Sequence, residues 1–194
     1  MRELSRNANV LRFLVEADSG VGRIKLAKYA YLADLESLRL GGRPISQFRY
    51  FFDNHGPFDN TQFFSALDEL KSLGILVEET ARFWKAWSGY RYSTTSPALH
   101  YQFSEAEDEI LRFVVAKYRP FSAQRLCDEI VYKTAPMLVA RKGKEIQMNL
   151  VQAEGSDPLG FNLERMLAGE KSARAGKHRP IAEAMRELRA RYNG

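Results

Sequence analysis

The chain has 194 residues, 45% of them hydrophobic and 27% charged. That balance excludes a disordered chain, which could not bury enough apolar surface to offset its ordering entropy. No apolar run approaches the roughly 18 residues of a membrane span, and the polar start Met1–Asn7 has no signal-peptide stretch. A single cysteine, Cys127, excludes an internal disulfide and a cysteine-built zinc cage, so a cytoplasmic protein is expected. The net charge of +5 is local: residues 171–194 carry seven basic and two acidic side chains, while residues 1–170 carry 22 of each. The basic surplus therefore describes a tail and makes nucleic acid a less favoured partner for the rest of the chain.

The helical spacing of Val10, Leu11, Leu14 and Ala17 predicts a first helix over about 5–16, stopped by Asp18-Ser19-Gly20. A second helix is predicted over 23–40, with Ile24, Ala27, Tyr31, Leu35 and Leu38 on one face. Leu26, Ala30 and Ala33 widen that face, so burial on more than one side is expected, with Tyr31 in the core. Residues 47–52 read as a strand or extended segment, and Asp53-Asn54-His55-Gly56-Pro57 as a turn. Asp59 then caps a third helix, with Gln62 at the capping-box position and Phe63, Ala66, Leu67, Leu70 and Leu73 as its apolar face.

After Gly74 the period changes to β. Segments 75–80 and 89–94 read as an antiparallel hairpin near 75–95 with a long aromatic connection at 82–88. Ser104-Glu105-Ala106-Glu107 is a capping box opening a helix that Pro120 ends, with Ile110, Leu111, Val114, Val115 and Tyr118 inward. Ser122 starts another helix, which Ala135-Pro136 ends or kinks. A loop over 152–160 and a basic helix from about Pro180 close the chain. The expected fold is mainly α with a small β component: a helical domain over 1–150 with a winged-helix-like hairpin, and a C-terminal extension over 151–194.

Catalytic signals are thin. His55, His100 and His178 have no metal-ligand spacing, and there is no phosphate-cradling glycine loop or nucleophile elbow. No cofactor and no metal are expected, nor is the protein expected to be an enzyme. Cys127 falls on an apolar face and reads as a buried, inert thiol. His55 either ties its turn to a backbone carbonyl or, in an enzyme, would work with Asp53 or Asp34; the first reading is preferred. Arg49 within Phe48–Phe52, and Phe83, Trp84 and Trp87 in the hairpin connection, are candidate partner-binding residues, because exposed tryptophan and arginine are enriched at interface hot spots. Packing over the helical core is the competing reading.

Several stretches in order resemble one family. They are Lys25-Leu26-Ala27-Lys28-Tyr29-Ala30-Tyr31-Leu32-Ala33-Asp34, Gly42-Arg43-Pro44-Ile45, Phe48–Phe52, Gly56-Pro57-Phe58 and Leu73-Gly74-Ile75. Residues 122–126, 134–136 and 142–146 extend the likeness. Together, over about residues 8–146, they resemble the Panacea domain, the SocA-like antitoxin-associated domain. The resemblance implies a protein that binds and neutralises a cognate toxin by direct contact, with some members found on phages and mobile elements and SocA itself resembling an adaptor that presents its toxin to a cytoplasmic protease. It marks Lys25, Lys28, Tyr31, Asp34, His55, Gly56 and Pro57 as family-motif positions and carries over no catalytic residue. The alternative is a winged-helix DNA-binding regulator, for which the helix–hairpin order and the basic tail speak. Its reader helix would be the third, which offers Asp59, Asp68 and Glu69 against Lys71, the wrong sign for a phosphate-lined groove.

Overall fold

The computed structural model describes residues 3–83, 87–95 and 101–153. All belong to one unit, Met1–Ser156. The expected loop beyond residue 153 and the basic C-terminal helix lie outside the described residues.

Helix α1 (Arg6–Ala17) starts at Ser5, whose side chain accepts the Ala8 N–H. It ends into Gly20, where φ is +83°. Strand β1 (Val21–Gly22) leads directly into α2 (Arg23–Arg39), the central helix. From Leu26 to Ser37 every residue of α2 is buried, since α1, α4 and α5 and the β3 strand all pack on it. Tyr31 is core, as expected, at 0% exposure, but Ile24 is not: it sits in the first turn, before the enclosing elements begin, and stays 37% exposed.

Residues 47–50 are extended and alternate, with Phe48 and Tyr50 buried and Arg49 outward. Strand β2 (Phe51–Asp53) follows and pairs with β3 (Gly56–Phe58). The expected turn is therefore shorter than predicted, confined to Asn54-His55; Gly56 and Pro57 are already strand. Residues 143–146 return alongside β2, with Phe52 N–H donating to the Lys144 carbonyl and Ile146 N–H to that of Tyr50.

Helix α3 (Asn60–Ser72) is capped by Asp59, which accepts the Gln62 N–H; the Gln62 amide oxygen accepts from Asn7 instead of closing a capping box. Strands β4 (Leu76–Phe83) and β5 (Trp87–Thr94) pair without a break up to Phe83 and Trp87. The long connection expected over 82–88 is thus corrected: only residues 84–86 lie between the strands, because aromatic residues suit a pleated surface and the ladder runs through them. Strand β1 adds the third strand of this sheet, in the order β1-β5-β4.

Helix α4 (Glu105–Tyr118) has the full capping box at Ser104 and Glu107. Helix α5 (Ala123–Glu129) is short, and a 3₁₀ turn over Val131–Lys133 follows. Ala135-Pro136 then opens helix α6 (Ala135–Val139) rather than ending one. Proline in a first turn removes only an N–H that has no intrahelical partner. Cys127 is buried, and its burial pushes the thiol pKa up. No helix among the described residues is long and apolar enough to cross a membrane.

Candidate functional site

The motif positions on α2 recur every third residue. At 3.6 residues per turn, three residues fall about 60° short of a full turn. Side chains 25, 28, 31 and 34 therefore fan across about half the helix circumference, and each meets a different neighbour. The Lys25 ammonium donates to the Arg119 carbonyl at 2.7 Å and lies 3.2 Å from Asp18. Lys28 donates to the Pro57 carbonyl at 2.8 Å. The Tyr31 hydroxyl is 2.8 Å from Thr134 Oγ1, which itself donates to the Val131 carbonyl. Asp34 accepts from the Ser46 N–H at 2.7 Å, the Tyr50 hydroxyl at 2.7 Å and the Ser46 hydroxyl.

Three of these groups are charged or polar side chains in the core, so the cost of burying them must be met by partners. Asp34 meets it with three donors, which oppose the upward push of burial on its pKa. Tyr50 beside it is held well above its ordinary range by the same burial and by the carboxylate. Lys28 is different. It is 1% exposed, and Pro57 is the one hydrogen-bond acceptor it meets among the described residues. Burial lowers its pKa to about 8, with Cys127 and Asp53 pulling weakly the other way.

Gly56 lies against this lysine. Its φ is +86°, and a Cβ there would stand 3.3 Å from a ring carbon of Tyr132 and 3.4 Å from Lys28 Nζ. The His55 side chain is exposed. Its backbone carbonyl accepts from the Cys127 thiol at 3.8 Å, so the turn is tied through its main chain and not, as expected, by the imidazole.

Beside Lys28 opens a cleft of about 210 Å³, lined by Arg23, Ile24, Ala27 and Lys28 of α2, Asp53 and His55 of the β2–β3 hairpin, and Phe58, Asn60 and Phe64 at the start of α3. Arg23 is fixed at its rim. Its guanidinium lies 4.0 Å from the Tyr90 ring centroid and 4.9 Å from that of Phe64, and it donates to the Tyr92 hydroxyl at 3.1 Å. Burial pushes the Tyr92 phenol up to about 12. Of the predicted positions, Lys28 and His55 line this cleft. Lys25, Tyr31 and Asp34 are spent on internal ties.

Arg49 does not line the cleft; it binds both carboxylate oxygens of Glu145, at 3.2 and 2.6 Å. Phe83 and Trp87 are paired strand residues at the end of the β4–β5 ladder, and Trp84 lies outside the described residues. Sequence reasoning missed Arg23, Ile24, Phe58, Asn60 and Phe64. Gly22, a cap without a side chain in front of a basic first turn, was the available signal. Among the described residues no cluster of His, Cys, Asp and Glu could hold a metal ion.

A family model described as antitoxin SocA-like, Panacea domain, matches residues 26–135. No curated protein and no solved structure matches the chain. The matched stretch covers α2 to the start of α6 and contains Lys28, Tyr31, Asp34, His55, Gly56 and Pro57. The chain belongs to the SocA-like Panacea family.

Proposed function

We propose that the chain is a cytoplasmic antitoxin that binds a cognate toxin protein and neutralises it by direct contact, without catalysis and without a cofactor. The observation that carries this reading is the family match over residues 26–135. Inhibition is steric: the antitoxin covers the toxin's working surface, or holds it for a cytoplasmic protease to degrade. Residues 1–150 supply the toxin-binding domain and residues 151–194 a basic extension. Phe83 and Trp87, at the end of the β4–β5 ladder, and Trp84, which lies outside the described residues, are candidate anchors, because large aromatic side chains carry most of the energy of such interfaces. A toxin–antitoxin pair of this kind belongs on a prophage or mobile element.

Co-expression tests the reading. The product of the neighbouring gene should arrest growth alone, should be tolerated when this chain is present, and should co-purify with it. A neighbour that is harmless alone and does not co-purify overturns the antitoxin role.

The DNA-binding alternative draws on one arrangement, α3 followed by the β4–β5 hairpin with β1 as third strand. Against it stands the charge of α3: Lys71, its one basic residue, is 2.9 Å from Asp68 and 3.9 Å from Glu78. Salt-dependent binding to duplex DNA, lost on deleting residues 171–194, would favour it.

A further inference from the structure

Lys28 is one of the residues lining the cleft and has an incomplete hydrogen-bond set. An ammonium has three N–H donors, yet among the described residues Pro57 is the acceptor it meets and no carboxylate stands within ion-pair distance. A buried charge is costly to keep unless it is paired, and the usual remedy is a carboxylate.

The start of α2 points the same way. Helices α1, α3, α4 and α5 each have a side chain accepting a first-turn N–H, whereas α2 at Gly22, like the five-residue α6 at Thr134, has no side-chain cap and no acidic residue in its first turn. The first-turn N–H groups of a helix have no intrahelical partner, and with the positive end of the dipole they favour an anion beside Arg23 and Ile24. The Arg23 guanidinium lies 3.9 Å from a Glu78 carboxylate oxygen and is ordered by the Tyr90 and Phe64 rings, so it adds a held, partly neutralised cation beside the cleft and little side-chain entropy remains to be lost when a ligand arrives.

The remaining walls select which anion. Ile24, Phe58 and Phe64 offer apolar surface for an aliphatic stem, and about 210 Å³ admits a single side chain. Asp53 on the rim opposes a doubly charged phosphate more than a single carboxylate. We propose that this cleft receives an acidic side chain of the bound partner protein, a glutamate or aspartate whose carboxylate reaches Lys28 and passes Arg23 at the rim. The proposal rests on the reading of the chain as a protein-binding antitoxin, and names the chemistry the partner must present.

The test needs no toxin, so its failure is distinguishable from failure of the antitoxin reading. The full chain, methyl-labelled, is titrated at pH 7 with N-acetyl-glutamate N-methylamide, with the glutamine compound and with inorganic phosphate, observing the Ala27 methyl. The expected result is a saturable shift with the glutamate compound and at least tenfold weaker binding of the glutamine compound. Lys28→Met should abolish the shift. Ile24→Glu, at an exposed position, should abolish it while leaving the melting temperature unchanged, which covers the case of a poorly folded Lys28 variant. Equal responses to the two amides, or glutamate binding that survives Ile24→Glu in a folded protein, would overturn the proposal. So would saturable phosphate binding with the glutamate compound inert, which would make the cleft a phosphate site.

Discussion

Helices α2 and α3 both carry helical apolar spacing in the sequence, on a wider face in α2, and lead different lives in the fold. Helix α3 buries Phe63, Ala66, Leu67 and Leu70 and leaves its other faces to solvent, with Asp68 and Lys71 paired on the surface. Helix α2 buries twelve consecutive residues, Lys28, Asp34 and Glu36 among them. An amphipathic helix is anchored by one stripe and tolerates change elsewhere. An enclosed helix must supply a partner for every polar group it carries inward, and those groups then fix where the neighbouring segments go. The motif of α2 is therefore chiefly a set of internal ties.

The sharpest way to break the comparison is to cut one tie. Asp34→Ala strands the Ser46 N–H, the Ser46 hydroxyl and the Tyr50 hydroxyl in a buried site. It should cost about 3 kcal/mol or more in chemical denaturation. A loss no larger than that of an exposed α3 substitution would remove the distinction between the two helices. Next comes Gly56→Val, which combines a left-handed backbone with a Cβ pressed against Tyr132 and Lys28. It should destabilise by about 2 kcal/mol or more, read as a lowered urea midpoint.

Lys28→Met separates charge from packing. With the folded-state pKa near 8 and the ordinary value at 10.5, the unfolded chain holds the extra proton between those limits. Stability attributable to Lys28 therefore rises with pH across that window, and below pH 8 the charged amine carries its burial cost in full. Between pH 7 and 10 the wild type should gain on the order of 2 kcal/mol relative to Lys28→Met; parallel pH slopes for the two proteins would contradict the depressed pKa. At the small end, Arg49→Ala removes a pair whose side chains are 63% and 48% exposed. Such pairs are screened by water and salt, so no measurable change in melting temperature is expected.

Much of this fold was legible in local signals. Ser5, Asp59, Ser104 and Ser122 all cap the helices their sequence context announced. What escaped reading depends on pairing at a distance. Strand β1 is two residues long and exists because β5 lies beside it. Residues 143–146 become extended through bonds to β2, about ninety residues earlier in the chain. Pro136 starts a helix rather than stopping one because the preceding turn is 3₁₀ and ends at Lys133. The cleft was hard to read for the same reason: three separate segments meet there, and Gly22 before the basic first turn of α2 was the one local signal for a wall.

On the proposed reading, α2 holds the fold with one set of residues and meets a partner toxin with another. The most direct test of that division is the affinity for the co-purified toxin of two variants, measured where both are folded. Ile24→Glu should weaken binding tenfold or more with the melting temperature unchanged. Tyr31→Phe, which loses the hydroxyl tie to Thr134, should cost about 1 kcal/mol of stability with the affinity unchanged. If Tyr31→Phe abolishes toxin binding by the folded protein while Ile24→Glu leaves it intact, the inner face is the interface and the division of roles along α2 does not hold.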